Sequence, residues 1–93
     1  MTVGVLRIEF AIYEAHSLKD KRRFVKGFKD RLAAQHNVSV AEVDHLDAWQ
    51  HATVGIAMVS NDPVHLHGCL DRIVDFARRQ RGLSVLDYEK TLW

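Results

Sequence analysis

The chain has 93 residues, 47% of them apolar and 27% charged, with a net charge of +1. That length suits one domain with one core, burying about 60–65% of the surface the unfolded chain exposes. A single cysteine, Cys69, excludes an internal disulfide framework and a cysteine-based zinc site.

The run from Met1 to Tyr13 carries Arg7 and Glu9 and does not read as a signal peptide. The longest uncharged stretch, Ala48 to Asn61, has 14 residues. A membrane helix needs about 20. The expectation is a soluble, cytoplasmic protein.

Residues 3–13 alternate, with Gly4, Leu6, Ile8, Phe10 and Ile12 on one face and Val5, Arg7, Glu9, Ala11 and Tyr13 on the other. This is the period of a half-buried strand. Ser17 precedes Asp20 by three residues, a capping-box variant, and Leu18, Phe24, Val25, Phe28 and Leu32 follow at helical spacing. That helix is expected to run to Ala34, where His36-Asn37 ends it. Val38 to His45 reads as a second strand, Leu46 to Ala48 as a turn, and His51 to Ser60 as a third strand.

Asp62-Pro63 is a helix start, with Asp as N-cap and Pro at the first helical position. Leu66, Leu70, Ile73, Val74 and Ala77 form the second helix's apolar stripe. Gly82 is expected as its left-handed cap, and Leu83 to Leu92 as the last strand. The order βαββαβ predicts an α+β fold, residues 1–93 forming a single ferredoxin-like sandwich. Its four-stranded antiparallel sheet carries both helices on one face. The loops at 14–17, 45–50 and 80–83 then share one end of the sheet.

Charge is segregated. Residues 19–31 hold seven Lys/Arg and two Asp, whereas residues 37–64 hold four acids and no Lys or Arg. At 100° per residue, Lys19, Arg22, Arg23, Lys26 and Lys29 fall in an arc of about 120° away from the apolar stripe. They are the candidate nucleic-acid-binding residues, because clustered cations recognise a phosphate backbone by counterion release. Arg72, Arg78, Arg79 and Arg81 extend the field if both helices share a face. The plain alternative is a solvated helix face with local pairing to Asp20 and Asp30. The open sheet face, with Arg7, Glu9, Thr53, Asp87 and Glu89, lacks the aromatic platform that stacks single-stranded bases in this topology.

Lys21 falls on the apolar stripe of the first helix and needs a partner. Asp44 or Asp47 is expected to supply it. With His16 and Trp49, these residues make a second candidate surface for a ligand or partner, His16, Lys21, Asp44, Asp47 and Trp49. His45 and His51 lie at the same end, so a metal or acid/base site is conceivable there. No spacing is diagnostic, and neither a metal set nor a cofactor is assigned. Cys69, mid-helix, reads as a small buried hydrophobe. An acylphosphatase-like site is disfavoured, since the loop Glu14-Ala15-His16-Ser17 has no glycine to open a phosphate cradle.

The runs AHSLKDKRRFVKGFKDRL and NVSVAEVDHLDAWQHATVGIAMVSND resemble the YlxP-like family of small bacterial proteins of unknown function. The resemblance spans essentially the whole chain. It implies the ferredoxin-like fold and, from the genes that accompany family members, a role close to translation or ribosome maturation. It supplies no catalytic residues. The expectation is therefore a non-enzymatic accessory protein associated with ribosome or RNA, with a homo-oligomeric or small-ligand module as the alternative. The last strand ends in the apolar pair Leu92-Trp93, which wants cover and favours a homodimer paired through sheet edges.

Overall fold

A computed structural model describes all 93 residues, Met1–Trp93. The elements are β1 (Thr2–Ala11), α1 (Leu18–Gln35), β2 (Ser39–Asp44), β3 (His51–Ser60), α2 (Pro63–Arg78) and β4 (Ser84–Leu92). The sheet order is β2-β3-β1-β4, every pair antiparallel. This is the expected ferredoxin-like α+β sandwich. No helix is long and apolar enough to cross a membrane.

Alternation places Leu6, Ile8 and Phe10 of β1 and Ala52, Val54 and Ile56 of β3 on the face that the helices cover, all buried. From above come Val25, Phe28 and Leu32 of α1 and Leu66, Leu70, Ile73 and Ala77 of α2. Phe28 sits at the centre, its ring 5.2 Å from Phe10 edge-to-face and 5.9 Å from Phe76. Such geometry adds to simple area burial.

Both helix starts follow the predicted chemistry. The Asp20 backbone N–H donates to Ser17 Oγ at 3.0 Å, and the His16 N–H donates to Asp20 Oδ2 at 3.1 Å. Asp62 Oδ1 accepts from the N–H groups of Val64 and His65, with Pro63 at the first position. These bonds satisfy amide donors that the helix itself leaves free.

Several element ends shift by one or two residues, β1 stopping at Ala11 rather than Tyr13, and two differences from expectation bear on the site. Helix α2 ends at Arg78, and its C-cap Arg79 is in right-handed helical geometry. The N–H groups of Arg79 and Gln80 already turn back to the carbonyls of Phe76 and Ala77. Gly82 is therefore not the cap. It takes φ +85° in the turn that enters β4. Strand β2 stops at Asp44, and His45 turns out of it with φ +58°.

The pairing of β2 with β3 carries a bulge. Glu42 lies opposite Val54, but Asp44 lies opposite Thr53. Strict alternation would keep both acids on the helix side. The extra residue moves Asp44 to the open face and leaves Glu42 beneath α1.

Candidate functional site

The end of the sheet where the 12–17, 45–50 and 79–83 connections meet is built around Lys21. Its side chain is fully buried. The ammonium donates to the carbonyls of His45 at 2.9 Å, Leu46 at 3.2 Å and His51 at 3.4 Å. It lies 2.7 Å from Glu42 Oε2, a buried oxygen that hydrogen-bonds no other group. The partner is thus Glu42, not Asp44 or Asp47. The bulge is the reason, since it turns Asp44 to the other face. There Asp44 accepts from Arg7 Nη2 at 3.3 Å and from the His45 N–H at 2.8 Å. Those contacts, the His45 amide first, hold its carboxyl below the usual range.

Of the second candidate surface, His16, Asp47 and Trp49 do not converge. His16 and Asp47 are exposed, and Trp49 is 56% exposed. Gln50 ties the hairpin to the β1–α1 loop by donating to the carbonyls of Tyr13 and Ala15.

The residues that do converge lie on the open face. Glu9 Oε2 accepts from Thr53 Oγ1 at 2.6 Å and lies 2.7 Å from His51 Nε2. His45 Nδ1 is 2.8 Å from Thr53 Oγ1 and 3.9 Å from Glu9 Oε2. The two imidazoles stack, centroids 4.1 Å apart and planes 17° from parallel. Thr53, expected to face solvent, is fully buried within this group.

Burial alone would raise the Glu9 pKa. The hydrogen bonds from Thr53 and His51, with the charge of Arg7, outweigh it and hold the carboxyl low. Proton positions follow. The Thr53 hydroxyl proton goes to ionised Glu9, so His45 donates from Nδ1 to Thr53, and His51 donates from Nε2 to Glu9. A signal for this cluster exists in the sequence. Antiparallel pairing of β1 with β3 sets Glu9 opposite Thr53 and Ala11 opposite His51. The missing piece was the bulge and turn that return His45 to the same spot.

On the helical layer, Lys19, Arg22, Arg23 and Lys26 are exposed and Lys29 is half-buried. Arg23 approaches Asp20 at 3.6 Å and Lys26 pairs with Asp30 at 2.6 Å. Four of the five arc residues divide between two grooves, and Lys19 lines neither. Arg22, Lys26 and Lys29 line one of about 340 Å³, toward β2. Arg23 lines another of about 410 Å³ with Gly27, Arg31, Gln80 and Arg81. Arg31, outside the predicted set, reaches the second groove because it lies eight residues, just over two helical turns, beyond Arg23. Its Nε donates to Gln80 Oε1 at 2.7 Å. Cys69 is buried as expected, its Sγ 3.4 Å from His65 Nε2 and 3.3 Å from Arg72 Nη2.

Comparison with known proteins agrees with the resemblance in the sequence. The profile of a family described as "Protein of unknown function (DUF503)" matches residues 3–90. A curated relative, "Uncharacterized protein YlxP" from Bacillus subtilis (strain 168), is 38% identical over 74 residues, covering 80% of each chain. The chain belongs to this family.

Proposed function

We propose that the protein is a non-enzymatic accessory factor that binds the phosphate backbone of folded RNA, as on the ribosome, through its helical layer. One observation carries the reading. Of the thirteen Lys and Arg residues, Arg7, Lys21, Arg23, Lys26 and Lys90 have a carboxylate at ion-pair distance. The other eight do not, and all eight lie on α1, on α2 or in the turn after it. Local pairing takes up only Arg23 and Lys26 of the predicted arc and leaves Lys19, Arg22 and Lys29 with no carboxylate partner.

Backbone recognition needs such charges and no base-stacking platform. The open face, where Arg7 is tied to Glu9 and Asp44, offers no free Lys or Arg, and its one ring stack, His45 on His51, is tied to Thr53 and Glu9. The family's resemblance-based link to translation points the same way.

The test uses a fluorescent RNA hairpin and purified ribosomes across a salt series. Contact with about five phosphates predicts a slope of log K against log salt of about −4. Reversing Arg22, Arg23 and Lys26 to Glu is expected to weaken both interactions more than about tenfold and to flatten the slope by about 3. Unchanged affinity and slope in that variant, or ribosome binding with no affinity for the hairpin, would overturn the phosphate contact.

A further inference from the structure

We infer that Glu9, His45 and His51 form a binding site for one borderline divalent cation of the Zn²⁺ class, on the sheet face opposite the helical layer. Imidazole and carboxylate are the donor types such ions take. The three residues each bring a ligand atom within 4.8 Å of the others.

Two of the donor separations bracket those of a tetrahedral site. Ligands about 2.0–2.1 Å from a tetrahedral zinc lie about 3.3–3.4 Å from one another. Glu9 Oε2 stands 2.7 Å from His51 Nε2 and 3.9 Å from His45 Nδ1, values that bracket this figure. Binding also requires the two rings, now 17° from parallel, to turn out of their stack so that both in-plane lone pairs meet at the ion. On binding, the ion takes the place of the His45 Nδ1 and His51 Nε2 protons. Each neutral imidazole changes tautomer, its single proton passing through solvent to the other ring nitrogen, so that the nitrogen facing the ion presents a lone pair.

Three further features favour a cation there. First, the open face carries the carboxylates of Glu9, Asp44, Asp87 and Glu89 against the single guanidinium of Arg7, so its field is negative. Glu9 faces Asp87, and Arg7 faces Glu89, across the β1–β4 ladder. Second, the backbone that carries both histidines is held in advance of binding. Lys21, from beneath, bonds the backbone carbonyls of both His45 and His51, and Thr53 orients Glu9. Loss of an outer partner such as Thr53 typically costs about 10–100-fold in metal affinity.

Third, the His side chains remain 43% and 36% exposed. A fourth coordination position therefore opens to solvent, for water or for an anionic group of a ligand. Three protein ligands with one open position is the arrangement of zinc sites that take an exchangeable ligand rather than merely brace a fold.

The experiment is calorimetric titration of Zn²⁺ into the full chain carrying no affinity tag, with the Co²⁺ absorption spectrum as a report of coordination. The expected result is one equivalent bound and a tetrahedral Co²⁺ spectrum. Affinity should fall more than about 100-fold in Glu9→Gln and in His51→Ala, beyond the loss for an outer partner. It should hold in His16→Ala and Cys69→Ser, which remove potential ligands elsewhere. His45→Ala, at the more exposed position, repeats the test if His51→Ala fails to fold, as judged by circular dichroism. Binding well below one equivalent, binding that survives Glu9→Gln and His45→Ala, or binding lost in Cys69→Ser would overturn the site.

Discussion

Lys21→Met isolates the buried ammonium. Methionine keeps most of the apolar stem and fills similar space, so packing changes little. What disappears is the only polar contact of Glu42 Oε2 and the donor for three carbonyls, those of His45, Leu46 and His51. Removing one member of a buried pair costs about 3–5 kcal/mol. Glu42 keeps 14% of its side-chain surface. It can recover some hydration, which places the expected loss near the lower figure, about 3 kcal/mol. In a domain of this size that lowers Tm by at least about 12 °C.

Urea titration at constant m-value measures the loss. Glu42→Leu in the Met background should restore part of it, because no charge is then stranded. A loss under about 1 kcal/mol for Lys21→Met, or a coupling energy near zero between the two substitutions, would refute the reasoning.

Two further predictions concern single positions. Gly82→Ala should cost about 2–4 kcal/mol, from a left-handed backbone unsuited to a side chain and from overpacking. The new Cβ would lie 2.5 Å from Phe24 Cε1. Phe24→Leu in the same background should relieve the steric part alone, as read by urea midpoint. Asp71 is held below its ordinary value of 3.8, chiefly by the hydrogen bond from Lys90. Its contribution to stability is therefore full above that value and disappears as pH falls through the lower folded value. Asp71→Asn should flatten the acid limb of the stability profile below pH 3.8 and leave the neutral limb parallel to wild type.

The order and type of all six elements were legible in the sequence because each carried its own period and its own punctuation. Ser17 with Asp20, and Asp62 with Pro63, marked the helix starts through local hydrogen bonds that depend on nothing distant. The alternation of β1 identified the residues that line the core. Gly82 misled because a left-handed glycine near a helix end usually caps it. Here two amide groups, of Arg79 and Gln80, had already closed the helix. The basic arc was visible from the helical period. The division of that arc into two grooves, and the part played by Arg31 and Arg81, depended on where α2 delivers the chain to β4.

The sequence placed His45 and His51 at one end of the sheet, but their meeting with Glu9 was hidden by one extra residue. A bulge has no obligatory signature in the sequence, since any strand can accommodate it when the partner strand allows the twist. Once Val43 is inserted, two readings change together. Asp44 leaves the helix side and pairs with Arg7, so Lys21 must find Glu42. The chain then emerges on the open side, and His45, in a left-handed turn, brings its ring over Thr53 beside His51. The same ammonium that neutralises Glu42 anchors the backbone of both histidines. A buried lysine read first as a residue needing a partner is thus the link between a basic helix and the histidine cluster. Its position, on the core stripe of α1, fixes where the hairpin must end.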